Sequence, residues 1–180
     1  MAVSVVLLRG INLGPRNRIA MPALREALLA AGYASVRTYV QSGNIVLDSE
    51  QRDEALADAI AALLVSEFAL ELPVVVRSAD ELADAVARNP FVEQAAASPK
   101  ALQVTFRAEA VTPEVVAALR VLAGPSEKLA GSGRELYSWH PDGVARSKLA
   151  LALTPKYAAA TARNWTTVLT LLEMATADAA

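Results

Sequence analysis

Two groups of polar side chains have the types and spacing to meet a ligand. Arg9, Asn12, Arg18, Gln41, Ser42 and Asn44 fall in two short segments, 9–18 and 41–44, which carry guanidinium, amide and hydroxyl donors and no carboxylate. Such a set suits an anionic or amide-rich partner. The second group is Arg146, Ser147 and Lys148 with Arg163, Asn164 and Trp165. Here three cations accompany the hydroxyls of Ser147 and Thr166 near expected helix starts, where unpaired backbone amides favour anions. His140, two residues from Asp142, is a candidate for proton transfer. Each group also has a plainer structural reading. Asn12 and Asn44 can bond their own backbone, Gly10, Gly14 and Gly43 can serve turn geometry, and Arg9 can bridge carbonyls. Around residues 146 and 164 the polar groups can cap short helices while Trp165 packs as an apolar anchor. His140 can simply follow a strand into a turn.

Composition excludes several chemistries. The chain has 180 residues, 54% of them hydrophobic, enough for one domain or two small ones and incompatible with general disorder. Seventeen basic and 19 acidic residues leave a net charge of -2, so no bulk field draws nucleic acid or an anionic membrane. Without cysteine there are no disulfides, thiol nucleophiles, iron-sulfur clusters or thiolate zinc sites, and a single histidine argues against an imidazole-built metal site. No metal ligand set is assigned and the cofactor is unknown. Gly10-Ile11-Asn12-Leu13-Gly14 lacks the third glycine of a dinucleotide fingerprint and the Gly-Lys-Ser/Thr ending of a P-loop. The start of the chain lacks a basic n-region, and no apolar run reaches membrane-span length; the expectation is a cytoplasmic protein.

The elements that must position these side chains can be read from periodicity. Val3 to Leu8 is apolar on both faces of a two-residue repeat, which predicts a strand covered on both sides. Met21, Leu24, Leu28 and Ala31 recur at helical spacing, with Pro22 in a first turn and Gly32 as the stop. Residues 36–41 alternate and turn through Ser42-Gly43 into Asn44–Leu47, a hairpin. A helix over 53–68 and a β-branched run at 73–77 complete βαββαβ. Ser78-Ala79-Asp80-Glu81 then matches a capping box at the start of a further helix that ends at Asn89-Pro90. Residues 91–100 read as a linker, after which the order repeats. Leu102–Phe106 is a strand, Thr112-Pro113 opens a helix, and a hairpin passes through Gly131-Ser132-Gly133 into 134–139. A short helix over 146–153, a weak strand at 158–162 and a closing helix follow. The resulting expectation is an α+β fold, a tandem pair of ferredoxin-like βαββαβ subdomains, each followed by an extra helix, divided as 1–90 and 91–180. Chain direction then brings segment 9–18 to the turn 41–44, and segment 143–148 to the exit of the last strand at 163–165.

Arg9-Gly10-Ile11-Asn12-Leu13-Gly14, Gln41-Ser42-Gly43-Asn44, Arg146-Ser147-Lys148-Leu149 and Arg163-Asn164-Trp165, in this order, resemble the domain-of-unknown-function family 1697. Asn89-Pro90-Phe91 and Pro141-Asp142-Gly143 belong to the same likeness, which runs over nearly the whole chain. The resemblance implies a bacterial protein with two ferredoxin-like subdomains and no established activity. The chain departs from the usual wording where Gly14-Pro15-Arg16 replaces Gly-Gly-Lys and where Ala145 replaces a glycine.

The functional expectation is binding of a small anionic or phosphorylated ligand, a nucleotide or metabolite, at the donor-rich loops. One alternative is an enzyme in which Arg163 and Lys148 stabilise negative charge and His140 moves a proton. Another is an RNA- or protein-interaction module, since Tyr137 and Trp139 share a strand face; Glu135 shares it too, and no RNP-type pattern is present. Non-specific nucleic-acid binding and membrane association are not expected, and the oligomeric state is left open.

Overall fold

The computed structural model describes residues 1–12, 17–154 and 159–177. The chain divides into two compact units, residues 1–82 with 171–180, and residues 83–170. Both cuts fall inside helices, one within residues 79–87 and one within residues 165–176.

In the first unit β1 (Ala2–Leu8) is followed by α1 (Met21–Ala30), β2 (Ala34–Tyr39), β3 (Asn44–Ser49), α2 (Asp53–Phe68) and β4 (Val74–Ser78). The strands form one antiparallel sheet in the order β2-β3-β1-β4. β1 is central, and Ser4 to Leu8 are all buried, as its two-faced apolar pattern predicts. Val6, Leu8, Ile45, Leu47 and Val76 point to one face, where Leu24 and Leu28 of α1 and Leu56, Ile60 and Leu64 of α2 close a core. At 0–4% exposure these side chains remove most of their apolar area from water, each contributing roughly 1.5–3 kcal/mol before chain entropy is set against it.

The helix α3 (Ala79–Ala87) starts as a capping box. The Ser78 amide donates to Glu81 Oε2 at 3.0 Å and the Glu81 amide to Ser78 Oγ at 3.1 Å, so each satisfies an orphan group of the other. The segment read as a linker contains α4 (Val92–Ala97). This is a correction: Val92-Glu93-Gln94-Ala95-Ala96-Ala97 has high helix propensity, but six residues between Pro90 and Pro99 are too few to show a periodic stripe.

The second unit continues with β5 (Leu102–Arg107), α5 (Pro113–Arg120), β6 (Lys128–Ser132), β7 (Glu135–Trp139), α6 (Lys148–Leu153), β8 (Ala160–Asn164) and the first half of α7 (Trp165–Thr176), whose residues from Leu171 on belong to the first unit. Its antiparallel sheet has the order β6-β7-β5-β8, the same pattern as the first. Leu129 and Leu136 on one face pack with Leu149 and Leu153 of α6 and with Val116 and Leu119 of α5. On the opposite face Tyr137 is fully buried and its hydroxyl donates to the Ala85 carbonyl at 2.6 Å. The last strand begins at Ala160; Ala158, where the sequence reading starts it, lies outside the described residues.

The hairpin β6–β7 turns on Gly133-Arg134. Gly133 has φ +62 at the first central position, the conformation that a two-residue type II′ turn asks of glycine. Lys128 therefore faces Trp139 across the ladder. One step further out, Glu127 comes opposite His140.

Candidate functional site: a polar edge and a charged cleft

At the end of the first sheet the two donor-rich segments meet, as chain direction requires. The Leu8 amide donates to the Gly43 carbonyl at 2.8 Å. Asn12 Nδ2 donates to the carbonyls of Gln41, at 2.8 Å, and Ile19, at 3.0 Å, while Oδ1 accepts from the Ile19 amide at 3.0 Å. Asn12 adopts φ 55, a left-handed conformation that asparagine tolerates because its short amide bonds locally. Asn44 is fully buried, and its Nδ2 donates to the Tyr39 carbonyl and to Ser42 Oγ. Both asparagines thus commit their amides to holding the loops together. Gly43 sits at φ +71, and a Cβ there would lie 2.7 Å from Leu8 Cβ and 3.0 Å from Ile11 Cδ1, so the turn closes directly on β1. Arg9 is partly buried, and that desolvation lowers the pKa of its guanidinium. Arg18 and Gln41 are exposed. Leu13, Gly14, Pro15 and Arg16 lie outside the described residues.

The second unit carries an open cleft of about 800 Å³ between residues 121–127 and residues 142–148. Arg146 and Lys148 line it, exposed, and among the described residues neither makes an ion pair. The lining has two carboxylates, Glu127 and Asp142. Glu127 Oε2 accepts from the Gly124 amide at 2.8 Å, and Oε1 meets His140 Nδ1 at 2.6 Å. Burial alone pushes the Glu127 carboxyl up. Hydrogen bonds from Ser147, the Gly124 amide and His140, with the charge of the imidazole, outweigh that effect and hold it below its ordinary value. Ser147 also caps α6, its Oγ accepting from the Ala150 amide at 2.9 Å. Asp142 is exposed and its Oδ2 accepts from Ser126 Oγ at 2.7 Å. These bonds join both walls of the cleft.

The partner of His140 is therefore Glu127, not Asp142. The imidazole is 1% exposed and its Nε2 lies 2.8 Å from Ser138 Oγ. Hydroxyl, imidazole and carboxylate form a chain like that of a nucleophilic triad. Ser138 is fully buried, however, so the hydroxyl lies at the inner end and is closed to a substrate in the cleft. The chain fixes the start of β6 to the end of β7. Sequence reading missed Glu127 and Ser138; the signal was the hairpin register, which a count outward from Gly133-Arg134 supplies.

Arg163 does not join Arg146 and Lys148. It pairs with Val104, which puts it on the sheet face opposite α6, where it is 9% exposed. Its Nη1 donates to Thr161 Oγ1 at 2.6 Å and to the Ala162 carbonyl at 2.8 Å, and burial pushes its pKa down to about 10. A guanidinium at that value stays charged at neutral pH, held inside at a desolvation cost. Asn164 Oδ1 accepts from the Thr167 amide and so caps α7. Trp165 is 8% exposed and borders an apolar groove with Val86 and Pro99. Tyr137 is inside the fold, so the shared face of Tyr137 and Trp139 is not an open stacking platform.

Fold and sites together define an α+β protein of two four-stranded antiparallel sheets with a charged cleft beside the second. The chain belongs to the family described as protein of unknown function (DUF1697), whose model matches residues 1–137. It is similar in fold to the conserved bacterial protein SP0830 from Streptococcus pneumoniae, with a TM-score of 0.77, 21% sequence identity, and 97% of this chain and 98% of that chain covered. Among curated proteins nothing matches it significantly. Among the described residues no group of three or more His, Cys, Asp or Glu side chains is placed to hold a metal ion, and no helix is long and apolar enough to cross a membrane.

Proposed function

We propose that the protein binds a small anionic ligand, a phosphorylated metabolite or nucleotide, in the cleft of the second unit. The observation that carries this is the pair Arg146 and Lys148, two cations with no ion pair among the described residues, lining a cleft of a size typical of small-ligand sites. Arginine grips phosphate oxygens in a planar fork and lysine adds a mobile point charge. The opposing carboxylate of Glu127 is already committed to His140, Gly124 and Ser147, which leaves the cations available to an incoming anion. Each half is, on this reading, ferredoxin-like, because βαββαβ order with strands in the sequence 2-3-1-4 is what that topology requires.

The experiment is thermal-shift screening of sugar phosphates and nucleotides, followed by calorimetry on the wild type, Arg146→Ala/Lys148→Ala and Arg9→Ala. The expected result is stabilisation of the wild type that disappears in the double variant and survives in Arg9→Ala. Silence of the wild type towards every phosphorylated compound at millimolar concentration overturns the reading. Loss of binding in Arg9→Ala alone moves the site to the first edge.

A further inference from the structure

The charges of the cleft say more than that it attracts an anion. We infer that its ligand is a phosphate ester with a hydroxylated carbon skeleton, a sugar phosphate in chemical class, and that Asp142 is the residue that selects it. The inference rests on the anion-binding reading of the same cleft. Its starting point is the imbalance between the two lining carboxylates. Glu127 has both oxygens engaged, one by the His140 imidazole and one by the Gly124 amide, and receives Ser147 as well. Among the described residues Asp142 makes one bond, from Ser126 Oγ to Oδ2, and stands exposed at the cleft wall. A carboxylate offers about four acceptor sites, so Asp142 keeps most of its capacity for a ligand. Ser126 at 2.7 Å engages one of its two oxygens.

A bare phosphate answers only half of this site. Bound by Arg146 and Lys148, it would bring a second negative group beside Asp142 and leave most of about 800 Å³ to water. A ligand with hydroxyls next to its phosphate places donors on Asp142 and its anion on the cations. The C–H faces of such a skeleton meet the wall formed by Leu122, Ala123 and Pro125. Selectivity follows from the difference: an acceptor left facing an anion is repelled, and an acceptor facing a hydroxyl is satisfied.

The test is isothermal titration of the wild type, Asp142→Asn and Arg146→Ala/Lys148→Ala with inorganic phosphate, ribose 5-phosphate, glucose 6-phosphate and glycerol 3-phosphate. The Asp142→Asn substitution keeps an oxygen for Ser126 and removes the charge, so the fold is retained. Expected in the wild type is a preference of about tenfold or more for at least one sugar phosphate over inorganic phosphate. In Asp142→Asn that ligand weakens about tenfold while inorganic phosphate binds as well or better, and the double variant binds neither. Equal affinities in the wild type, or a preference that Asp142→Asn leaves intact, overturn the inference while phosphate binding lost in the double variant upholds the anion site. Absence of binding by all four compounds in the wild type overturns the inference, and the anion site falls with it when nucleotides are silent as well.

Discussion

At the end of the first sheet, Asn12 and Asn44 turn their amides onto backbone carbonyls and onto Ser42; at the cleft of the second unit, Arg146 and Lys148 extend without an ion pair among the described residues. Both regions carry conspicuous polar side chains at the ends of antiparallel sheets of the same strand order. What separates them is the reach of the side chain. A short amide in these turns finds the carbonyls of its own loop and, for Asn12, of the turn packed against it, because those are the acceptors within range. Long cationic side chains clear their own loop, and of the two acids in the cleft lining Glu127 is committed to His140 and the Gly124 amide, while Asp142 has one oxygen on Ser126 and the rest of its capacity open. A donor-rich motif is thus a fastening in one place and an open surface in the other.

Substitutions should separate the two regions by what they damage. The largest effect is expected at Gly43→Val, which puts a branched side chain at φ +71 against Leu8 Cβ. A loss of about 3 kcal/mol in urea unfolding is expected, from overpacking together with an unfavourable backbone. Asn12→Ala removes two bonds that close its own loop on Ile19 and one that ties it to Gln41, and should cost about 2 kcal/mol by the same measurement. A loss below about 0.5 kcal/mol would mean that the loops of the first edge are not tied by this residue.

In the second unit, stability should respond to acid through Glu127. Its carboxyl titrates lower in the folded protein than the ordinary value of 4.5, so its stabilising contribution is complete above that value and is lost as pH falls through the lower folded one. The melting temperature of the wild type should therefore exceed that of Glu127→Gln at about pH 6, and the gap should narrow as pH falls below 4.5. A constant gap across this range would show that the charge of Glu127 is not what joins the walls. The smallest effect on stability is expected for Arg146→Ala and Lys148→Ala, within about 0.5 kcal/mol each, as exposed cations with no ion pair among the described residues. A large loss in either would place these residues in the framework and erase the contrast with Asn12.

Much of this was legible in residue order. The two-faced apolar run of β1, the Ser78–Glu81 capping box and the meeting of segments 9–18 and 41–44 follow from periodicity, local hydrogen-bond chemistry and chain direction. The helix α4 was not, because six residues show no stripe. Arg163 illustrates a different failure. Its place beside Asn164 and Trp165 suggested a shared basic edge with Arg146 and Lys148, but alternation along β8 sends it to the other face of the sheet. Asp142 looked like the partner of His140 because it is two residues away. Glu127 takes that role through a ladder register that proximity in sequence does not reveal.

The sequence by itself determined the order of strands and of every helix but α4, the Ser78–Glu81 capping box and the family, because those depend on neighbours within a few residues and on recurrent local patterns. Only the tertiary structure decided which polar groups are engaged. Thirteen positions separate Glu127 from His140 and 29 separate Asn12 from Gln41, and a hydrogen bond across such distances exists only once strand pairing has fixed the register of both partners. The two cations of the cleft stand without an ion pair among the described residues for a related reason: the hairpin register that joins Glu127 to His140 commits one of the two lining carboxylates to other donors.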